Sequence, residues 1–189
     1  MHPIRRDLAR MFTKHRFHQV IAFVLVTLLT LAAQTVDSMP RVEGESLSGQ
    51  KVVLPEAAKG KVAVLIFGFT RASKAPTSEW GKKLSADFGS RSGFELYQLP
   101  VLEDVPRLFR GMAISGMKKG TPENMRDHFV PLLEGEEELK RLVGYREVDD
   151  AYLLLLDRGG NIVRQTHGAF TDQNYSALRT VIGSLLGGK

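Results

Sequence analysis

An α/β fold, with a central mixed sheet flanked by helices and interrupted by a helical insertion, is the architecture this sequence predicts. Three stretches predict it. Val62 to Phe69 is a continuous apolar run rich in β-branched and aromatic residues, the pattern of a central strand covered on both faces. Phe94 to Val101 alternates, with Phe94 and Leu96 on one side and Tyr97, Leu99 and Val101 on the other, and is reached through a helix, so it lies parallel to the first strand. Tyr152 to Asp157 is a third buried strand, and Ile162 to Gln165 returns across the turn Arg158-Gly159-Gly160-Asn161 as its hairpin partner.

Taken from the N-terminus, residues 1–19 hold Arg5, Arg6, Arg10, Lys14 and Arg16 against Asp7, which is four of the five net positive charges of the chain. The folded body is therefore close to neutral and shows no electrostatic footprint for nucleic acid. Val20 to Ala33 is apolar and uncharged. A basic start followed by an apolar run is the plan of a secretory signal or an N-terminal membrane anchor over residues 1–33. As a helix, this 14-residue run would span roughly 21 Å, short of the roughly 30 Å hydrocarbon core, which favours the signal. This implies an exported or periplasmic protein, or one anchored to a bacterial inner membrane. The Arg-rich, acid-poor start also suits a mitochondrial presequence, hence the mitochondrial inner membrane.

Residues 34–60 read as a linker and an N-terminal β extension, two short strand-like pieces around Ser48-Gly49-Gln50. The main domain is expected over 61–187. Pro76 suits the first turn of its first helix, and Trp80, Leu84 and Phe88 form an apolar stripe for the sheet. Asp104 is placed to cap a short helix whose residues Val105, Leu108, Phe109 and Met112 recur at helical spacing as an apolar stripe, with Arg110 on its polar side. The insertion, about residues 103–131, carries Gly111, Gly116, Gly120, Pro122 and Pro131 with Met112, Met117 and Met125. It reads equally as a deformable surface for an apolar partner and as an ordinary helical subdomain. Glu134 to Val143 is helical, with Glu136 to Lys140 and Glu137 to Arg141 four apart. Thr171 caps a last helix that turns Tyr175, Leu178, Ile182 and Leu185 inward.

The chain has no cysteine. Disulfides, thiolate nucleophiles and Cys-bound metal are thereby excluded. No phosphate-binding glycine loop, nucleophile elbow or paired-histidine zinc helix occurs. His128 and His167 have no paired ligand motif, so no metal and no cofactor is assigned, and the expectation is a protein without catalytic residues. Asp149-Asp150 reads either as an acid pair or, more readily, as a solvated approach to a strand. Arg71 and Lys74, at a strand-to-helix turn where N–H groups favour an anion, read equally as receivers of an acidic partner or phosphate and as a solvated loop.

The order of elements is that of thioredoxin-like proteins. Phe67-Gly68-Phe69-Thr70 resembles the segment before their redox motif, most closely in the copper-chaperone branch concerned with cytochrome oxidase assembly. Set against that motif, the thioredoxin cysteines fall on Ala72 and Ala75, the copper-chaperone pair on Ala72 and Pro76, the cis-proline on Ala151 and the copper-ligand histidine near Asp150. A narrower likeness covers roughly Lys61 to Phe170. Tyr97 and Gln98, Arg107 and Arg110, Arg126 to Pro131 and Asp150 to Asp157 resemble the marks of the mitochondrial ATP synthase assembly-factor family. That resemblance implies a membrane-associated chaperone whose client is a hydrophobic membrane-sector subunit. The partner-binding residues expected are Arg71, Lys74, Trp80, Gln98, Arg110 and Asp150. The alternatives are an exported thioredoxin- or peroxiredoxin-like redox-family domain of unknown activity and a small-ligand-binding module.

Overall fold

A computed structural model describes residues 39–187, so the expected N-terminal signal or anchor lies outside the described residues. Two strands, β1 (Val42–Glu45) and β2 (Lys51–Leu54), form the antiparallel hairpin expected around Ser48-Gly49-Gln50. They stand apart from a four-stranded sheet of β3 (Val62–Gly68), β4 (Phe94–Pro100), β5 (Ala151–Leu156) and β6 (Ile162–Gly168). The order across that sheet is β4-β3-β5-β6. β3 and β4 run parallel, and the other two pairings are antiparallel, in the register Phe67 with Tyr152 and Tyr152 with His167. The mixed sheet has its parallel pair joined by helix α1 (Lys74–Phe88), as a crossover requires.

Side-chain alternation divides the core between the two faces. Val64, Ile66, Leu153 and Leu155 meet Trp80, Leu84 and Phe88 of α1 and Tyr175, Leu178 and Ile182 of α4 (Asp172–Gly187). Leu65, Phe67, Tyr97, Leu99 and Leu154 meet the β1–β2 hairpin and Leu139 and Val143 of α3 (Glu136–Val143). Every residue of β5 is buried, which is why its run of leucines carries no polar break. Thr171 caps α4 as expected, its Oγ1 accepting the Asn174 N–H at 3.2 Å. Glu136 and Lys140 pair at 2.6 Å, but Arg141 reaches the backbone oxygen of Glu137 rather than its carboxylate.

One expectation about the insertion is corrected, and of its two open readings the structure favours an exposed apolar surface. Helix α2 (Arg107–Gly120) begins after Pro106 without a side-chain cap, so Asp104 does not cap it. Its apolar stripe faces outward: Leu108 is 85% exposed, Met112 71% and Phe109 50%, and no residue of the helix is buried. The edge of the sheet beside it is covered by the returning chain. After a short 3-10 turn over Glu123–His128, the chain runs beside the outer edge of β4, bridging Phe129 to Gln98 and Leu132 to Val101, with Val130 and Leu132 buried. That segment covers part of an edge strand.

Candidate functional site

The C-terminal end of β3, the N-terminal end of β5 and the C-terminal end of β6 meet at one end of the sheet. The turn between β3 and α1 is tied down residue by residue. Thr70 Oγ1 donates to the Val148 carbonyl and accepts the N–H groups of Ala72 at 3.1 Å and Ser73 at 3.3 Å. Ser73, 1% exposed, donates its hydroxyl to the Thr70 carbonyl at 2.8 Å. Gly68 allows this closeness, since a Cβ there would lie 2.9 Å from Ser73 Oγ. Across from it, the hydroxyl of buried Tyr152 accepts the N–H groups of Arg146 and Glu147, both at 2.8 Å, and donates to the Glu147 carbonyl at 2.9 Å. The turn at 70–73 and the loop at 146–150 are therefore held side by side by hydroxyl-to-backbone bonds.

On this scaffold Arg71, Ala72, Lys74 and Ala75 are exposed. Beside them Asp150 Oδ2 sits 2.6 Å from Nδ1 of His167, whose ring stacks on Tyr152 at 5.5 Å between centroids. The carboxylate fixes the ring and leaves Nε2 as the second nitrogen. Among the described residues, no group of three or more histidines and carboxylates is placed to hold a metal ion. What the arrangement offers is a rigid end of the sheet with cations on the turn and an acid–imidazole pair beside it, suited to hydrogen bonding and charge pairing.

The predicted residues separate. Arg71, Lys74 and Asp150 all belong to the turn and loop at this end of the sheet. Trp80 does not belong to a surface: it is fully buried, its indole N–H donates to the Gly168 carbonyl at 3.1 Å, and it packs on Phe170 and Tyr175. Trp80 thus supports the site from below by fixing the end of β6. Gln98 is half-buried, with its amide against Gly81 of α1. It lines a separate groove of about 350 Å³ beside β4, with Ser85, Glu95, Met125 and His128. There His128 pairs with Glu95, which also pairs with Lys61. Arg110 is not on a free polar side. Because the apolar stripe of α2 points to solvent, Arg110 points back and donates to the carbonyls of Val105 at 2.8 Å and Glu103 at 2.6 Å.

Sequence reasoning passed over His167 as a site residue. Its partnership with Asp150 follows from strand register: pairing β5 with β6 across the Arg158–Asn161 turn sets Tyr152 opposite His167 and brings Asp150 within reach. The Asp150–His167 pair was legible only once that register was fixed.

No family model and no curated protein sequence matches the chain. Solved structures do. The thioredoxin domain of a thiol-disulfide oxidoreductase from Bacteroides vulgatus is 20% identical, covering 80% of this chain and 99% of that one with a TM-score of 0.55. The exposed lipoprotein thioredoxin of Streptococcus pneumoniae is 17% identical over 77% of this chain and 100% of its own, with a TM-score of 0.52. BsSco, a member of the Sco family of cytochrome c oxidase assembly proteins, is 16% identical over 81% and 95%, with a TM-score of 0.55. The fold is thioredoxin-like, on a chain that lacks the redox cysteines. None of these similar structures is described as an ATP synthase assembly factor.

Proposed function

We propose that this protein is a thioredoxin-like domain that has given up thiol chemistry and works by binding a protein client at the end of its sheet. The observation that carries the reading is the β3–α1 turn. Its hydroxyl-to-backbone bonds hold it firmly, while Ala72 and Ala75, exposed at the places the resemblance gives to the redox cysteines, offer neither nucleophile nor electron donor. Arg71, Lys74 and the Asp150–His167 pair are the proposed contacts, with Gln98 and Arg110 outside this patch. The broad reading, a domain of the thiol-disulfide oxidoreductase fold, is supported by the structural neighbours. The narrower one, a chaperone for a hydrophobic membrane-sector subunit of ATP synthase, is supported by the resemblance over Lys61 to Phe170 alone. BsSco, as an assembly protein for another membrane complex, lends it analogy. An exported location agrees with the exposed lipoprotein thioredoxin among the neighbours.

The test is a crosslinked pull-down of the tagged full-length chain from its native membranes, with partners identified by mass spectrometry. A reproducible client that is lost on Arg71→Glu with Lys74→Glu, in a variant of unchanged circular dichroism, supports the reading. Its identity then decides between ATP synthase subunits and other envelope proteins. A client retained by the double variant counts against the proposed surface. Turnover in an insulin-reduction or peroxide-consumption assay counts against a non-catalytic protein.

A further inference from the structure

Helix α2 is built in a way that water alone does not favour. It has 14 residues, near the length at which an isolated helix is marginal, and two interior glycines, Gly111 and Gly116, each worth about 1 kcal/mol less than alanine. It buries nothing in the core. Its ends are nevertheless pinned: Arg110 holds the start, and at the other end Thr121 Oγ1 donates to the Met117 carbonyl at 2.9 Å while Arg126 Nε donates to the Thr121 carbonyl at 3.1 Å. The domain thus presents a helix whose apolar ridge, Leu108, Phe109 and Met112, is open to solvent.

Charge points to what covers it. Residues 39–187 carry twenty Lys and Arg against nineteen Asp and Glu. Four of those cations and none of the acids lie on α2: Arg107, Arg110, Lys118 and Lys119. Without this helix the described chain is net acidic, so its positive charge is concentrated where its largest exposed apolar side chains stand. An apolar ridge on a helix whose only charges are cations is the composition of a helix that lies in a membrane interface, with its ridge among the upper acyl chains and its cations at anionic headgroups. An acid-free helix face would also suit an acidic protein groove. The lipid surface is favoured because Lys118 and Lys119 carry the positive charge of the helix nearly two turns beyond Met112, a spread suited to a layer of anionic headgroups. We propose that α2 is a docking surface for an anionic lipid membrane, with Leu108, Phe109 and Met112 inserted and Arg107, Lys118 and Lys119 at the headgroups. This surface is independent of the sheet end that carries the proposed client site.

Because the chain has no cysteine, a single thiol reports locally even when the basic and apolar N-terminal segment binds membrane itself. Full-length protein carrying Met112→Cys, labelled with a polarity-sensitive dye, is mixed with phosphatidylcholine vesicles with and without phosphatidylglycerol. The label shifts to the blue and is quenched by lipid-borne quencher only with phosphatidylglycerol, while the same label at Ser176→Cys on α4 stays in water. Adding Lys118→Gln with Lys119→Gln lowers insertion about thirtyfold, from about 1 kcal/mol per cation near an anionic surface. A label at position 112 that stays in water on both vesicles overturns the proposal, as does equal insertion into both. Burial of that label only in membranes that retain their proteins overturns it in favour of a protein partner.

Discussion

At the scale of single residues, the turn after β5 shows how one side chain sets a chain direction. Asp157 accepts the N–H groups of Gly159 at 2.8 Å and Asn161 at 2.9 Å. Burial works against its charge, but the backbone and side-chain bonds from Asn161, with those from Gly159 and Gly160, outweigh it and hold the carboxyl below its ordinary value of 3.8. A depressed folded pKa means stabilisation that is complete above the ordinary value and lost as pH falls through the folded one. Thermal melts between about pH 2 and 6 should therefore show a shallower acid decline for Asp157→Asn than for the native chain. Equal acid limbs would mean that the turn is held without the charge. Trp80 gives the second test at this scale. Trp80→Phe removes the donor to Gly168 and part of a buried ring, and urea unfolding should register a loss of about 2 kcal/mol. A surface tryptophan would cost within about 0.5 kcal/mol.

At the scale of elements, what was legible in the sequence follows from how many constraints each stretch carried. β3, β5 and α1 were readable because burial on both faces, or along one stripe, demands uninterrupted apolar patterns, and β4 because its alternation serves two cores at once. Helix α2 has the pattern of a core helix, and the insertion that carries it reads equally as a surface for an apolar partner. Periodicity reports that a face is apolar but not what it faces, and the edge of the sheet is covered instead by the segment that buries Val130 and Leu132, a short alternation hidden among prolines. Of the candidate site, the sequence placed Arg71, Lys74 and Asp150 beside strand ends, where the structure has them. It was misread at Trp80, whose chain position beside the turn hid the fact that helical spacing puts it underneath. Stability separates the two readings of α2. Leu108→Ser with Met112→Ser should leave the unfolding free energy within about 0.5 kcal/mol for each change. An inward stripe would have cost about 2 to 5 kcal/mol for each.

At the scale of the whole molecule, scaffold and chemistry are separable. The fold is thioredoxin-like, while the electron-carrying atoms are absent from the sequence. A fold that retains its geometry should accept the chemistry back. Ala72 and Ala75 are both exposed, three residues apart, and flank Ser73 at the start of α1. In the variant Ala72→Cys with Ala75→Cys, the Cys at 72 would sit at the helix N-terminus next to Arg71 and near Lys74, so both the dipole and the cations favour thiolate over thiol. Thiolate absorbance should therefore titrate below the ordinary value of about 8.5, and mild oxidation should give an intramolecular disulfide in a monomer. Titration at the ordinary value with only intermolecular disulfides would show instead that the turn does not hold redox geometry.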